Sequence, residues 1–237
     1  MFHEPNVAAS AFLLADPTRA AMLSALLDGR ALPAGELAYA SGVTAQTASS
    51  HLTKLLAAGF VTVEREGRHR YYRLAGSHVA QAIEQLAAIC PPGPVRRKAL
   101  PAAAIQLRFA RSCYDHLAGR LGVAVTRALQ ERGFLVAAPE KRFDVMPAGI
   151  AWFDSLGLDV ASLKPAKGGV ARQCLDWTER TYHLAGPLGA EVLSILCARG
   201  WLRRSKTSRA VQITPIGRRE LKRHLGVDDE ALRAPAA

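Results

Sequence analysis

Two copies of one short pattern place cysteine, aspartate and histidine close together in the second half of the sequence. The first copy reads RSCYDH, and the second reads RQCLD followed by six further residues and a histidine. Two thiolates and two imidazoles form a tetrahedral ligand set for zinc or another soft divalent cation such as cadmium. The pattern therefore predicts a metal or effector site made of Cys113, Asp115, His116, Cys174, Asp176 and His183.

The spacing suggests how these side chains are arranged. On a helix, residues three apart share a face and residues two apart do not, so Cys113 and His116 would point together. Asp115 would then point away from the metal and serve as an outer partner of a ligand. In the second copy the insertion WTERTY must fold His183 back towards Cys174.

Other interpretations of the same residues stay open. Spacing of the CxxC type is missing, cysteine is often buried as a small hydrophobic residue, and a histidine before a glycine turn often bonds only to the backbone. A thiol switch that uses Cys113 and Cys174 is one alternative, and it requires cysteines of lowered pKa. A small organic inducer in an apolar cleft is another, and the aromatic residues suited to line it are Trp152, Trp177 and Trp201.

The cysteine pattern belongs to a longer internal repeat. HLAGRLGVAVTRALQERGFL begins at His116, and HLAGPLGAEVLSILCARGWL begins at His183. Each copy predicts a turn at HLAG, a helix with a glycine stop, a short hairpin, a proline-containing turn and a second helix. Residues 111–159 and 172–228 therefore predict either a duplicated winged-helix-like unit or one domain built from two related halves.

The proline-rich, basic stretch CPPGPVRRKALPAA separates this region from the first part of the sequence. Its composition is typical of a linker. We therefore predict a first domain over residues 1–90, a linker over 91–103 and a C-terminal sensor domain over 104–230.

The first domain has the pattern of a winged helix-turn-helix. Asp16-Pro17 is a helix start, a short helix follows in PAGELAYASG, and Thr44 begins a third helix. In VTVEREGRHRYYRL the hydrophobic period changes to two, which predicts a hairpin with Glu66-Gly67 at its tip. The expected fold class is mainly α (α+β), with a duplicated winged-helix-like domain at the C-terminus.

The helix that begins at Thr44 has one apolar face and one face of small polar groups with no acid among them. Such a helix fits the major groove of DNA, where hydrogen-bonding side chains read the edges of the bases. The arginines of the hairpin suit phosphates or the adjacent minor groove. The predicted DNA contacts are Thr44, Gln46, Thr47, Ser49, Ser50, His51, Lys54, Arg65, Arg68, Arg70 and Tyr71.

The composition agrees with a nucleic-acid partner. The chain carries 31 lysine and arginine residues against 20 acidic ones, which gives a net charge of +11. Each neutralised phosphate releases counterions, so this charge favours double-stranded DNA as a partner. No apolar run reaches the roughly 20 residues needed to span a bilayer, and the N-terminus lacks the features of a signal peptide. We expect a cytoplasmic protein with no membrane partner.

Three motifs in this order resemble the ArsR/SmtB family of bacterial transcription factors over roughly residues 7–90: LADPTRAAMLSALLDG, VTAQTASSHLTKLLAAGFV and REGRHRYYRL. The resemblance implies a homodimeric winged-helix repressor that leaves its operator when it binds a metal or another inducer. Its recognition-helix pattern falls on Thr44, Gln46, Thr47, Ser49, Ser50 and His51.

The two best-known metal sites of that family do not carry over to this sequence. The stretch GELAYASG has no cysteine pair, and SHVAQAIEQLAAIC supplies only His78 and Glu84, which do not match the family spacing. A sensor would therefore lie in the C-terminal half.

Taken together, these features predict a sequence-specific transcriptional regulator that binds an inverted repeat as a homodimer. We expect no enzyme, because the sequence has no glycine-rich phosphate loop, nucleophile elbow or HExxH motif. Two alternatives remain: an enzyme or small-molecule-binding domain fused to a DNA-binding module, and an architectural protein that binds DNA without sequence preference.

Overall fold

The computed structural model describes residues 7–66, 69–90, 102–166 and 168–233. The chain divides into two compact units, Met1–Ile83 and Glu84–Ala237, and the division falls within one helix. Among the described residues no helix is long and apolar enough to cross a membrane.

The first unit consists of short helices followed by a hairpin. Its elements are α1 (Val7–Leu14), α2 (Pro17–Ala25), β1 (Leu32–Pro33), α3 (Ala34–Ser41), α4 (Ala45–Ala57), β2 (Val61–Glu66), β3 (His69–Leu74) and the first part of α5 (Ser77–Ile89). Asp16 caps α2 by accepting a hydrogen bond from the backbone N–H of Arg19, and Pro17 occupies the first turn, as the sequence predicts.

The turn between α3 and α4 makes the helix-turn-helix. Gly42 ends α3 in the left-handed region at φ 70°, where a residue without Cβ is favoured. Thr44 then caps α4 by accepting a hydrogen bond from the N–H of Thr47. Fully buried leucines on the inner faces of the two helices, among them Leu37, Leu52 and Leu55, form the core with α2.

The wing is a three-stranded antiparallel sheet with the strand order β1-β3-β2. The register pairs Val61 with Leu74 and Arg65 with Arg70. The predicted mainly α fold with a winged helix-turn-helix at its beginning is therefore confirmed.

The second unit contains the two repeats and the end of α5. Its further elements are α6 (Ala102–Phe109), β4 (Arg111–Cys113), β5 (His116–Ala118), α7 (Gly119–Glu131), β6 (Leu135–Ala138), β7 (Arg142–Val145), α8 (Pro147–Ser155), β8 (Arg172–Leu175), β9 (Tyr182–Ala185), α9 (Gly186–Ala198), β10 (Leu202–Arg204), β11 (Val211–Ile213), α10 (Pro215–Leu225) and α11 (Asp229–Arg233). Each copy thus runs hairpin, helix, hairpin, helix.

Strands of one copy pair with strands of the other copy at two places. The second hairpin of copy one pairs with the first hairpin of copy two through β7 and β8, which gives the four-stranded sheet β6-β7-β8-β9. In return, β4 of copy one bridges to the second hairpin of copy two at Ala210, and the N–H of Ser112 donates to the carbonyl of Arg209 at 2.8 Å. One hydrophobic core contains residues of both copies.

Equivalent glycines show how closely the copies follow one plan. A Cβ on Gly149 would lie 2.3 Å from the carbonyl oxygen of Phe134, and one on Gly217 would lie 1.9 Å from that of Trp201. In both copies the helix after the hairpin therefore approaches the backbone at a point where no side chain fits.

Two sequence expectations change at this level. HLAG is not a turn: in both copies its first three residues are a strand, and its glycine, Gly119 or Gly186, begins the following helix. Residues 91–101 of the predicted linker lie outside the described residues, and Ala102 and Ala103 already belong to α6.

Candidate DNA interface and metal centre

The outer face of α4 presents the polar side chains that the sequence singles out. Six of the predicted residues are exposed: Thr44, Gln46, Thr47, Ser49, Ser50 and Lys54. The inner face is held by Ala48, Leu52 and Leu55, which are fully buried. The first unit therefore holds the helix by its apolar side, and the polar side is exposed.

His51 departs from the expectation that it reads bases. Its side chain is only 16% exposed, and its Nδ1 atom lies 3.6 Å from the carboxylate of Asp16, the residue that caps α2. His51 therefore lies at the edge of the core between two helices and not on the outer face of α4.

The arginines of the wing occur in two different arrangements. Arg65 and Arg70 lie directly opposite each other on the two strands, and both are exposed, whereas Arg73 pairs with Glu64 at 2.8 Å. Like charges in direct register repel, and an anion between them removes this cost. Tyr71 is half-buried beside them. Arg68, also predicted to contact DNA, lies outside the described residues.

In the second unit, two hairpins bring the cysteines and histidines together. Cys113 is opposite His116 across β4 and β5, and Cys174 is opposite His183 across β8 and β9. The expectation that Cys113 and His116 share a helical face is wrong. Residues in register on neighbouring strands point to the same side, so each hairpin supplies one sulfur and one imidazole.

The first hairpin is a two-residue turn with Tyr114 in the left-handed region at φ 59°. In the second, residues 176–181 form a longer loop that returns His183 to Cys174, as the inserted residues require. The backbone N–H of Asp176 donates to the carbonyl of Thr181 at 2.9 Å and closes this loop.

The four candidate ligand atoms lie within 4.8 Å of one another. The Nε2 atoms of His116 and His183 are 3.1 Å apart. In a tetrahedral zinc site with ordinary bond lengths, ligand atoms are about 3.3 to 3.8 Å apart, so the site needs only a small adjustment to close around an ion. Three of the four residues are buried, and Cys174 is half-buried.

Each imidazole has a carboxylate near its Nδ1 atom. Nδ1 of His116 is 2.9 Å from Oδ1 of Asp115, and Nδ1 of His183 is 3.7 Å from Oδ2 of Asp176. The His183 Nδ1 atom is buried and makes no hydrogen bond among the described residues. A carboxylate near Nδ1 orients a histidine so that Nε2 can bind a metal, and Asp115 and Asp176 would take this outer position around an ion.

Asp176 also holds a buried arginine. Both of its carboxylate oxygens lie 3.0 Å from Nη2 of Arg111, and both side chains are at least 98% buried. Burial opposes ionisation of Asp176, but the Arg111 charge and the hydrogen bond from Thr178 outweigh it and keep the pKa of Asp176 well below its usual range. The carboxylate that faces His183 is therefore charged.

The thiols and imidazoles also perturb one another. The adjacent Cys174 side chain and burial raise the pKa of Cys113 to about 12, and the same contact lowers the pKa of Cys174. Burial opposes protonation of His116, but the hydrogen bond with Asp115 and the contact with Cys113 raise the pKa of His116 to about 9. The His116 imidazole, whose Nε2 atom lies 3.1 Å from that of His183, therefore favours its protonated form at neutral pH.

Sequence reasoning missed two charged residues that lie beside the Cys/His cluster without belonging to it. Arg111 is the arginine of the repeated Arg-x-Cys-x-Asp phrase, and that repetition was the available signal. Glu84 is the only acid of α5, and it is 3% exposed. The available signal was that this glutamate stands alone among apolar and uncharged polar residues, which is typical of an acid with a buried basic partner.

One apolar cavity among the described residues is too small for an organic inducer. A cavity between α7 and α9, lined by equivalent residues of the two copies such as Leu117 and Leu184, has a volume of about 10 Å³, which is space for one water. Trp201 is buried in the core and Trp152 stacks on Phe134 at 5.5 Å, so these two rings pack against protein instead of lining a cleft.

Comparison with known proteins places the chain among DNA-binding regulators. Residues 14–64 match a helix-turn-helix domain family. The HTH-type transcriptional regulator YdfF of Bacillus subtilis (strain 168) is 44% identical over 223 residues, which cover 94% of this chain and 98% of that protein.

Two further similarities are shorter. The HTH-type transcriptional regulator CmtR of Mycobacterium tuberculosis (strain ATCC 25618 / H37Rv) is 48% identical over 73 residues, 31% of this chain and 61% of that protein. The solution structure of the homodimeric winged helix-turn-helix domain of Mb0332 from Mycobacterium bovis, a possible ArsR-family regulator, covers 38% of this chain and 89% of its own, with 30% identity and a TM-score of 0.33.

Proposed function

Because the chain belongs to the helix-turn-helix family of transcriptional regulators, we propose that it is a cytoplasmic, inducer-released repressor. It binds an inverted-repeat operator as a homodimer, and its effector is a soft divalent cation held in the second unit. The dimer follows from the resemblance to the ArsR/SmtB family and from the symmetry that an inverted repeat requires.

The observation that carries the DNA-binding part is the exposed polar face of α4. Gln46 and Ser50 are four residues apart and therefore lie one above the other on this face. Their side chains carry the donors and acceptors that match base edges in the major groove. The opposed pair of Arg65 and Arg70 on the wing supplies a site for a backbone phosphate.

The observation that carries the effector part is the convergence of two sulfurs and two Nε2 atoms from two hairpins. Cys113, His116, Cys174 and His183 would hold the ion. Two thiolates cancel the two charges of the ion, so the loaded site is neutral and suits its buried position. When bound, the ion supplies a cross-link between the two halves of the domain.

Operator selection from a random duplex pool, followed by fluorescence anisotropy, tests the DNA-binding part. Gln46→Ala and Ser50→Ala should each reduce the preference for the selected duplex over a scrambled one by about 5- to 100-fold, since a good base contact discriminates by about 1–3 kcal/mol. Arg70→Ala should weaken binding to both duplexes alike and lower the salt slope by about one.

Thr53→Ala is the matched control for the recognition helix. Thr53 is exposed on the same helix, but its hydroxyl donates to the carbonyl of Ser49 at 2.9 Å and is already satisfied. Preference that survives both Gln46→Ala and Ser50→Ala would reject α4 as the reading element. Equal affinity for all duplexes would identify an architectural DNA-binding protein instead.

Metal stoichiometry tests the effector part. The reduced protein is dialysed against trace zinc or cadmium, and one ion per chain is expected. Cys113→Ser and Cys174→Ser should each lose the ion, while Cys197→Ser, which changes a cysteine outside the cluster, should retain it. No bound ion, together with a Cys113–Cys174 disulfide after peroxide treatment, would replace the metal effector by a thiol switch.

A further inference from the structure

Glu84 connects the Cys/His cluster to the helix that follows the wing. It is the first residue of the second unit, and its neighbour in α5, Ile83, is the last residue of the first unit and packs against that unit's core. The side chain of Glu84 is 4% exposed. Neither the metal site nor the DNA-binding face described above uses this carboxylate.

The Glu84 carboxylate is held by four groups of the second unit. Oε2 accepts a hydrogen bond from Sγ of Cys113 at 3.4 Å. Oε1 accepts from Nε1 of Trp177 at 3.2 Å and from Nη2 of Arg209 at 2.8 Å, and Nε of Arg111 lies 3.6 Å away. The next residue, Gln85, places its Nε2 atom 4.0 Å from Sγ of Cys174. Consecutive residues of α5 thus touch both candidate sulfur ligands.

Metal coordination is incompatible with the contact to Cys113. Binding of the ion would break the S–H bond of each cysteine and the Nε2–H bond of His116, form bonds from these atoms to the metal in their place, and release the three protons to solvent. The Cys113 sulfur then has no proton to donate. Although the loaded site carries no net charge, the bound sulfur keeps partial negative charge and faces the Glu84 carboxylate about 3.4 Å away in a buried site, so the two groups repel.

We propose that Glu84 transmits occupancy of the Cys/His cluster to α5: the bound ion removes the hydrogen bond from Cys113, Glu84 moves away from the sulfur, and α5 shifts with it. Glu84 is in this scheme a positioning residue and touches neither the ion nor DNA. The proposal rests on the proposed function, because it describes how the cation bound at that site lowers DNA affinity.

Metal binding should strengthen the contact of Gln85 with Cys174, whereas it weakens the contact of Glu84 with Cys113. Its amide is a donor, and a metal-bound thiolate of Cys174 is a better acceptor than a neutral thiol. Loading therefore weakens the contact of Glu84 with one sulfur and strengthens that of Gln85 with the other. The two changes act on adjacent residues of one helical turn, which favours a rotation of α5 over its unwinding.

The experiment compares Glu84→Gln with the wild-type full-length chain. Glutamine retains the shape and an acceptor oxygen but carries no charge, so a metal-bound Cys113 no longer repels it. For the wild type, one equivalent of zinc should weaken operator binding by about 10-fold or more, within the usual range of coupling between sites. Glu84→Gln should still bind one zinc ion and the operator, but zinc should then change operator affinity by less than about 3-fold.

Glu191→Gln is the matched control, because Glu191 is an exposed glutamate of α9 in the same unit. It should respond to zinc as the wild type does. Linkage gives a second readout: operator DNA should weaken zinc binding by the same factor as zinc weakens operator binding in the wild type, and this reciprocal effect should vanish in Glu84→Gln.

A wild-type response in Glu84→Gln would overturn this proposal and leave the metal effector intact. Absence of zinc binding to the wild-type chain would overturn the metal effector, and the proposal with it. Hydrogen exchange of the wild-type chain provides a test without any variant: zinc should change the protection of residues 77–89, and unchanged protection there would also overturn the proposal.

Discussion

Asp176 shows at the residue scale how one carboxylate supports both the fold and the site. It accepts hydrogen bonds from the backbone N–H groups of Gly119, Thr178 and Glu179 and pairs with Arg111. It also lies behind His183. The residue that orients one ligand therefore also fixes the start of α7 and the loop that returns His183 to Cys174.

We predict that Asp176→Asn destabilises the second unit by roughly 3–5 kcal/mol, because it removes the carboxylate charge 3.0 Å from Nη2 of the buried Arg111 and leaves only Glu84, which lies 3.6 Å from Nε. Urea denaturation followed by circular dichroism measures this change. Asp115→Asn is the control, since the Asp115 side chain is 47% exposed and its loss should cost less than about 1 kcal/mol. A small effect of Asp176→Asn would mean that water or another acid neutralises Arg111.

At the element scale, the glycines at equivalent positions of the two copies allow a prediction of stability. Gly217→Ala should destabilise the second unit by more than about 3 kcal/mol, since its Cβ would overlap a backbone carbonyl that cannot move without displacing the β10–β11 hairpin. Gly35→Ala, in α3 with nothing within 4 Å of its Cβ, should stabilise the first unit by up to about 1 kcal/mol. Thermal unfolding followed by circular dichroism compares the two. Equal effects would mean that α10 relaxes around the added methyl group.

The elements of the first unit follow from local signals in the sequence. The cap at Asp16, the glycine at position 42 and the period of two after Phe60 each act within a few residues, so helix, turn and wing are predictable. His51 is the exception, because its burial depends on Asp16, a residue 35 positions earlier that the local pattern does not connect with it.

The elements around Cys113 were harder to predict for a physical reason. Three-residue strands such as β4 and β5 are too short to show a period, and a Cys-x-x-His spacing fits a helix as well as a tight hairpin. The hairpin is set by pairing with the other copy near Ala210, which is a long-range contact. The residues of the cluster were therefore predictable from their repetition, while their geometry was not.

At the scale of the whole molecule, we expect a bound cation to increase the stability of the second unit, because its ligands come from both copies of the repeat. Each copy supplies one cysteine and one histidine, so an ion closes the contact between the halves in the folded state only. The first unit offers no comparable group among its described residues. A bound cation should therefore stabilise one unit and leave the other unchanged.

We predict that calorimetry of the full-length chain shows this asymmetry. Zinc at 100 times its dissociation constant should stabilise the second unit by about 2.7 kcal/mol, which raises its unfolding midpoint by about 5–10 °C. The transition of the first unit should not move. Cys113→Ser should abolish the shift and Cys197→Ser should preserve it, because only the first changes a ligand atom. A zinc shift that persists in Cys113→Ser, or that moves both transitions equally, would place the cation elsewhere on the chain, since an ion stabilises only the folded unit that holds it.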